Sequence, residues 1–422
     1  VPLAAARGET NATPAATGPD PDTELEFGWD DGPTYHVGQR FPHLRDADPT
    51  GLVQDFAIDG RIGGSLYLDG GWLAGDLFDD DDDGPVGKIR RARVNTRGTI
   101  QYWRKTWFKA EFALEDGDFF LNDFYLQWRF ARWIDSFKIG YFDPPVSLEA
   151  LAGSADRTLM ETPPAVSAFA PGFRIGAEVA GSFEHPSLAW AFNLSSIGQR
   201  PQSGDASSSP LRLTTRVVWR PWLDDTGEVP DLFHLGVSLR YQIAGGGTIR
   251  YRARPETFLS DFVIDTDDLA GAFGTVGLEA LWRRGPLAVQ GEAFQVAIDE
   301  DDEGSLHFWG GYAQAAWALT GEVKPYDAKR ALLGRTKPHD DFAPLRGHWG
   351  ALELTGRLAW IDLDDGALRG GRMLTLHLGP AWTWNRFVRV LGGYVYAHVD
   401  GIEDDAEAGD AHVVQARFEF AF

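Results

Sequence analysis

The sequence contains no cysteine, which removes disulfide frameworks, thiolate zinc sites and thiol catalysis together. It has no run of eighteen apolar residues, so no helix of the chain is expected to cross a membrane. Basic residues are in deficit. Thirty-nine Lys and Arg face 62 Asp and Glu, a formal net charge of -23, and with a pI near 4.8 nucleic acid is excluded as a partner. The ten His are scattered without an H-E-x-x-H pair, and there is no G-x-S-x-G, Walker loop or dinucleotide fingerprint, so no cofactor is expected. Val1 follows no charged-then-apolar leader, so any signal peptide is expected to have been removed or left out.

What the chain has in quantity is aromatics and alternation. Sixteen Trp and 27 Phe are many for an acidic chain of mean hydropathy -0.26. They suit the girdles and lipid-facing band of a membrane β-barrel, whose strands average to neutral hydropathy because their two faces alternate. From Asp55 onward the period is two. Arg91, Arg93, Asn95, Arg97, Thr99 and Gln101 share one face of a strand, with Ala92, Val94, Gly98, Ile100 and Tyr102 on the other. Leu352, Leu354, Leu358 and Trp360 oppose Glu353, Thr355 and Arg357 in the same way, and Val414, Ala416, Phe418, Phe420 and Phe422 oppose Gln415, Arg417 and Glu419. About sixteen such strands fit between residues 55 and 422.

A soluble sandwich or propeller also alternates, but its strands run to about five or six residues, whereas about ten are needed to cross a tilted bilayer wall. The expected fold is therefore all-β, a 16-stranded antiparallel transmembrane β-barrel with inward-folded loops. Residues 1–26 read as a flexible Ala/Pro-rich leader or tether, 27–54 as a periplasmic or plug-like segment, and 55–422 as the barrel. Short turns alternate with long connections, as in outer-membrane barrels. The stretch 321–346 breaks this rule on the short-turn side. The stretch Phe137–Gly181 holds about thirty residues of Pro, Ala, Ser and aromatics between two strands. That is too long and apolar for a surface turn, so it is expected to fold into the lumen as the constriction.

Several motifs then resemble one family, the phosphate-selective porins O and P of Gram-negative outer membranes: KIRRARV at 88–94, GYFDPPVSLEAL and AFAPG in the long stretch, RYRARPE at 250–256 followed by DTDDL, and GYAQAAWALTGEVKPYD at 311–327. The resemblance implies a barrel, usually trimeric, whose third and fifth loops enter the lumen and whose arginines guide anions. Arg90 and Arg91 match the family's paired arginines of the second strand. Arg250, Arg252 and Arg254 match the alternating arginines of its fifth loop, and Arg61 and Arg157 are further candidates for the anion path. Asp143, Pro144, Ser147 and Glu149 belong to the constriction loop. Spaced guanidiniums replace an anion's water with charge-assisted hydrogen bonds at each step. The other reading of Arg90 and Arg91 is that they satisfy lumen carboxylates such as Glu111, Asp123 or Glu178. One departure bears on selectivity: relatives that select phosphate carry basic residues where this chain has Asp143 and Ala155.

Other constellations are poorer. Asp79, Asp80, Asp81, Asp82 and Asp83 offer hard oxygens of the kind calcium takes, without EF-hand spacing, and read first as a solvated loop with no metal. Glu279 and Glu292 on adjacent strands mimic a glycosidase pair, although lumen carboxylates of any porin look the same. The function expected is a passive outer-membrane channel for small anionic solutes, without a catalytic step, homotrimeric, in contact with membrane lipid and lipopolysaccharide. The alternatives are a weakly selective general porin and a structural or docking protein of the envelope.

Overall fold

Alternation along each strand becomes a wall with two faces. A computed structural model of the chain describes residues 23–29, 32–39, 56–78, 84–101, 105–115, 118–130, 133–185, 187–196, 210–224, 229–244, 248–300, 304–402 and 408–422. A hairpin of β1 (Thr23–Trp29) and β2 (Pro33–Gln39) leads into β3 (Phe56–Ala74), β4 (Gly84–Gln101), β5 (Thr106–Glu115), β6 (Asp118–Arg129) and β7 (Ser136–Phe142). A long third loop, L3, carries α1 (Leu148–Leu151) and α2 (Pro164–Phe169) before β8 (Arg174–Phe183), β9 (Leu188–Ser195), β10 (Leu211–Asp224) and β11 (Asp231–Ala244). The fifth loop, L5, holds the short β12 (Thr248–Ile249), β13 (Arg252–Ala253) and β14 (Ile264–Asp265). Then come β15 (Leu269–Arg284), β16 (Leu287–Glu300) and β17 (Gly304–Ala318), and a connection with β18 (Tyr326–Asp327) and β19 (Leu332–Leu333). Last are β20 (Ala351–Asp365), β21 (Leu368–Thr383), β22 (Val388–Ile402) and β23 (Gly409–Ala421).

Sixteen antiparallel strands, β3 to β11, β15 to β17 and β20 to β23, close into a ring through the β23 to β3 pairing. The expected strand count holds. β3 and β4 stay paired as far as Leu73 and Gly84, so the connection between them is confined to the residues between Ala74 and Gly84. Leu352, Leu354, Leu358 and Trp360 face outward and are exposed, while Glu353, Thr355 and Arg357 between them are buried inside. The last strand does the same with Phe418 and Phe420 against Arg417 and Glu419. The run Asp79–Asp83 and most of residues 1–54 lie outside the described residues.

Two bulges re-aim side chains. Tyr67 pairs with Arg91 and Leu68 with Ile89, so Arg90 is the extra residue and two consecutive arginines reach the lumen. Opposite Glu111 and Phe112 the ladder skips Asn122, which turns inward beside Asp123 and donates to Glu111 at 2.6 Å.

The largest apolar cluster lies inside the ring. Val146, Ala165, Val166 and Phe169 of L3 and Tyr251, Ala253 and Ile264 of L5 pack on Phe273, Phe294, Phe308, Tyr312, Met373 and Val399 of the wall. This cements both loops to the side of the barrel formed by β15 to β23. The opposite side, β4 to β11, carries Lys88, Arg90, Arg91, Arg93, Lys138, Arg174, Arg212 and Arg240 on its inner face.

Candidate functional site

L3 starts with Asp143-Pro144-Pro145, which keeps the chain extended as it leaves β7. Ser147 then caps α1, accepting from the Ala150 N–H at 3.1 Å. The Glu292 carboxylate on β16 accepts from Ser147 Oγ (2.9 Å), Leu148 N (2.7 Å), Glu149 N (3.0 Å) and the Tyr312 hydroxyl (2.9 Å). Glu149 returns the clasp, accepting from Gln290 (3.0 Å), Gln314 (3.1 Å) and Arg357 (3.1 Å). Ser147 and Glu149 thus anchor the loop to the wall. Its descending limb is gripped by three wall arginines. Arg389 donates to the carbonyls of Arg157 and Thr158, Arg357 to that of Glu161, and Arg417 to that of Met160.

Glu161 then meets the second strand. It accepts both Nε (2.8 Å) and Nη2 (3.1 Å) of Arg90 and also binds Arg417, which holds Asp69 in a two-pronged pair at 2.6 Å. Burial pushes the Glu161 carboxyl up, but Arg90 and Arg417 more than offset this and hold it well below the usual carboxylate range. Asp143 is the opposite case. Burial, with the Asp123 carboxylate beside it, pushes Asp143 up to about 7 against the pull of Arg157, Arg174 and Lys138. Arg157 borders a small cavity with Glu149, Asp156, Gln290 and Leu333, and its buried Nε has no hydrogen-bond partner.

In L5 the alternation of RYRAR works as in a strand. Tyr251 and Ala253 turn into the apolar cluster, while Arg250, Arg252 and Arg254 share the other side. Pro255 keeps Arg254 extended. Glu256, with a φ of 50°, then turns back and plants its carboxylate in the wall on Arg357 (3.0 Å), Thr375 (2.7 Å) and His377 (3.0 Å). Burial raises the Glu256 carboxyl, but Arg357 and His377 outweigh it and hold the group low. Two rings follow at once. Arg252 lies over Phe262 at 4.0 Å; Arg254 lies over Phe262 at 4.1 Å and Phe258 at 4.8 Å; Arg90 lies over the same Phe258 at 3.8 Å and Lys88 at 5.4 Å. The result is one row of cations interleaved with aromatic faces, Arg252, Phe262, Arg254, Phe258, Arg90, running from L5 to the second barrel strand.

The other sequence candidates take different places. Arg250 is exposed and bound by Asp265 (2.6 Å) and Asp267 (3.1 Å). Arg91 is buried beside Glu115 at 3.3 Å and under Tyr67, and Arg61 sits at the short-turn end, in register with Thr34 and Arg97. The carboxylates suspected for Arg90 and Arg91 serve others: Asp123 takes Lys109 at 2.7 Å, Glu178 takes Lys138 at 2.8 Å, and Glu111 takes Arg93 at 3.1 Å. Glu279, register partner of Glu292, is held by Arg216 and His234, each at 2.7 Å. Sequence reasoning missed Phe258 and Phe262, although their four-residue spacing directly after RYRARPE is a visible signal.

The exceptional connection 321–346 also enters the ring, from the short-turn end. Leu332 joins Leu148 of α1, Leu232 and Leu281 in one apolar cluster, and the Arg335 N–H donates to Asp156 of L3 at 2.9 Å. Lys324 pairs with Glu353 at 3.0 Å, and Arg216 donates to the carbonyls of Arg330 and Ala331 at 3.0 Å.

A closed ring of sixteen strands, oily outside and ionic inside, with loops anchored in its lumen, defines an outer-membrane porin. The sequence model of the phosphate-selective porin O and P family matches residues 61–422, and the chain belongs to that family. Porin O of Pseudomonas aeruginosa is 24% identical over 399 residues, covering 86% of this chain and 88% of that protein. An uncharacterized protein of Caulobacter vibrioides is 27% identical over 302 residues, covering 68% of this chain and 57% of its own length. Among solved structures, an anion-selective porin from Comamonas acidovorans superposes with a TM-score of 0.56 at 12% identity, over 86% of this chain and all of that one. The outer-membrane channel DcaP of Acinetobacter baumannii gives 0.54 at 9% identity, over 86% and 97%. At those identities the two structures speak for the fold alone.

Proposed function

We propose that the chain is a passive outer-membrane channel that favours small anions, phosphate-like solutes among them, and that it works as a homotrimer. The observation that carries this reading is the row from Arg252 through Phe262, Arg254 and Phe258 to Arg90. An aromatic face holds a guanidinium in place without neutralising it, whereas a carboxylate neutralises it. Arg252, stacked on Phe262, therefore keeps charge to offer an anion, Arg254 continues the stack toward Arg90, and the apolar attachment of both loops to the β15 to β23 side leaves the basic β4 to β11 side for the passage. Several weak sites in series conduct better than one tight site. The name of the Comamonas porin, anion-selective, agrees with this direction. A weakly selective pore is the second reading, favoured by the carboxylates Glu161, Asp265 and Asp267 bound to Arg90 and Arg250.

The reversal potential in a planar bilayer under a KCl gradient separates the two. Anion preference in the native protein, reduced in Arg252→Gln/Arg254→Gln with folding intact, is expected. Equal preference in both proteins refutes the row, and native cation preference or none supports the weakly selective pore.

A further inference from the structure

Wall arginines of this barrel are mostly given a carboxylate. Arg216 on β10 has Glu279 at 2.7 Å, Arg417 on β23 has Asp69 at 2.6 Å, and Arg357 on β20 has Glu149 and Glu256 at 3.1 and 3.0 Å. Three arginines near the long-loop end are treated otherwise. Arg174 heads β8 and donates only to the neighbouring Phe173 carbonyl at 2.8 Å. Arg212 on β10 reaches only the neutral Gln242 at 3.4 Å. Arg240 on β11 lies over Phe273 at 4.7 Å, the ring that Arg212 also covers at 4.9 Å. All three side chains are more than nine-tenths buried, and among the described residues none has an ion pair.

The strands bring them together. Arg212 faces Gln242 and Thr214 faces Arg240, so the two arginines are diagonal neighbours on one face of adjacent strands. Asn193 of β9 is in register with Thr214, completing a row of Asn193, Thr214 and Arg240 across three strands. The buried polar atoms here lack partners as a group: Nε of Arg174 and Arg212, both amide atoms of Asn193, the Thr214 hydroxyl and the Tyr251 hydroxyl. Burial pushes the Tyr251 hydroxyl up, and Arg240 and Arg212 lie close enough to pull it back. Among the described residues, Asp143 is the one carboxyl that acts on Arg174, and none acts on Arg212 or Arg240; like charges packed in a poor solvent, with donors aimed and unused around them, are costly unless a further counter-charge arrives.

We propose that Arg174, Arg212 and Arg240, with the Asn193 amide and the Thr214 and Tyr251 hydroxyls, form a second oxyanion site on the wall, built for a tetrahedral, phosphate-like dianion. It is separate from the row that passes through Arg252 and Arg254. It rests on the channel reading, since an anion reaches it only from the lumen. The donor set matches such an anion: planar guanidinium forks take two oxygens each, and neutral hydroxyls and the amide take the others.

The test uses the purified protein in detergent micelles with inorganic phosphate as probe. Thermal unfolding and equilibrium dialysis of radiolabelled phosphate are compared for the native chain, Arg240→Gln and Arg212→Gln/Arg240→Gln. Phosphate is expected to raise the native unfolding temperature and to bind with a class of sites about tenfold or more weaker in the double variant. In phosphate-free buffer the variants are expected to unfold at or above the native temperature, because repulsion between unpaired guanidiniums is relieved. Variants that unfold lower without phosphate while binding it as the native chain does assign these arginines a structural role and overturn the site. Equal phosphate responses in all three proteins overturn it too. A native protein that binds phosphate here without conducting in a bilayer refutes the channel reading and leaves this site standing.

Discussion

Replacing Glu256 by Gln isolates the attachment of L5 from the integrity of the barrel. The carboxylate accepts from Arg357, Thr375 and His377 at 3.0, 2.7 and 3.0 Å in a fully buried position. Removing one member of a buried charge pair costs about 3–5 kcal/mol. Arg357 keeps Glu149 at 3.1 Å and Gln314 at 2.8 Å, so the low end applies. A loss of about 3 kcal/mol shifts the docked-to-free equilibrium of L5 by roughly a hundredfold. The ring is closed by pairings that do not involve Glu256, so the variant is expected to fold as the native chain does, shown by unchanged heat-modifiable migration on gels. Single-channel recordings are expected to show noisier and larger currents, with anion preference reduced if, as proposed, Arg252 and Arg254 line the path that the freed loop vacates. Native-like current noise and reversal potential in a folded Glu256→Gln protein would refute the claim that this carboxylate holds the row in the lumen.

Two further expectations concern charge and obstruction. Asp143, pushed up to about 7, is neutral below that pH and negative above it, so anion preference is expected to rise as pH falls from about 8 to about 6 and to stay flat in Asp143→Asn; a pH dependence surviving in the variant assigns it to another group. Replacing Glu322–Phe342 by a short Gly/Ser linker removes the segment that braces L3 through Leu332 and Arg335, and conductance is expected to rise roughly twofold or more; unchanged conductance would place this segment outside the current path.

Local rules carried the ring and stopped at its contents. Period-two alternation marks Leu354 against Glu353 or Phe418 against Arg417 from either neighbour, because facing is a property of the backbone itself. The double arginine at 90 and 91 carries a readable break in that alternation, and a bulge resolves it. Which carboxylate each arginine meets was not readable. Arg90 finds Glu161, 71 residues away, and Arg357 finds Glu149, 208 residues away. Such pairs depend on how deep the loops descend, and that depth is set by apolar contacts such as Phe169 with Tyr251 and Phe294. The entry of residues 321–346 had a signal in its length alone, since its buried anchors Leu332 and Ala331 form no periodic pattern.

The uneven lengths of the first and last strands bear on how the cylinder is sealed. β3 pairs with β2 from Phe56 to Arg61 and with β23 from Ser65 to Leu73 and beyond, so the hairpin and the chain's end share one edge in tandem. Phe422 and Gly64 exchange both backbone hydrogen bonds, at 3.1 and 3.0 Å, and a side chain at Gly64 would strike the Phe422 ring at 2.7 Å. If the last strand slid two residues toward the chain's start, Phe422 would be driven toward Arg61, whose edge Thr34 already occupies. The hairpin thus acts as an end stop, barring the zipper of the cylinder from fastening too far toward that rim.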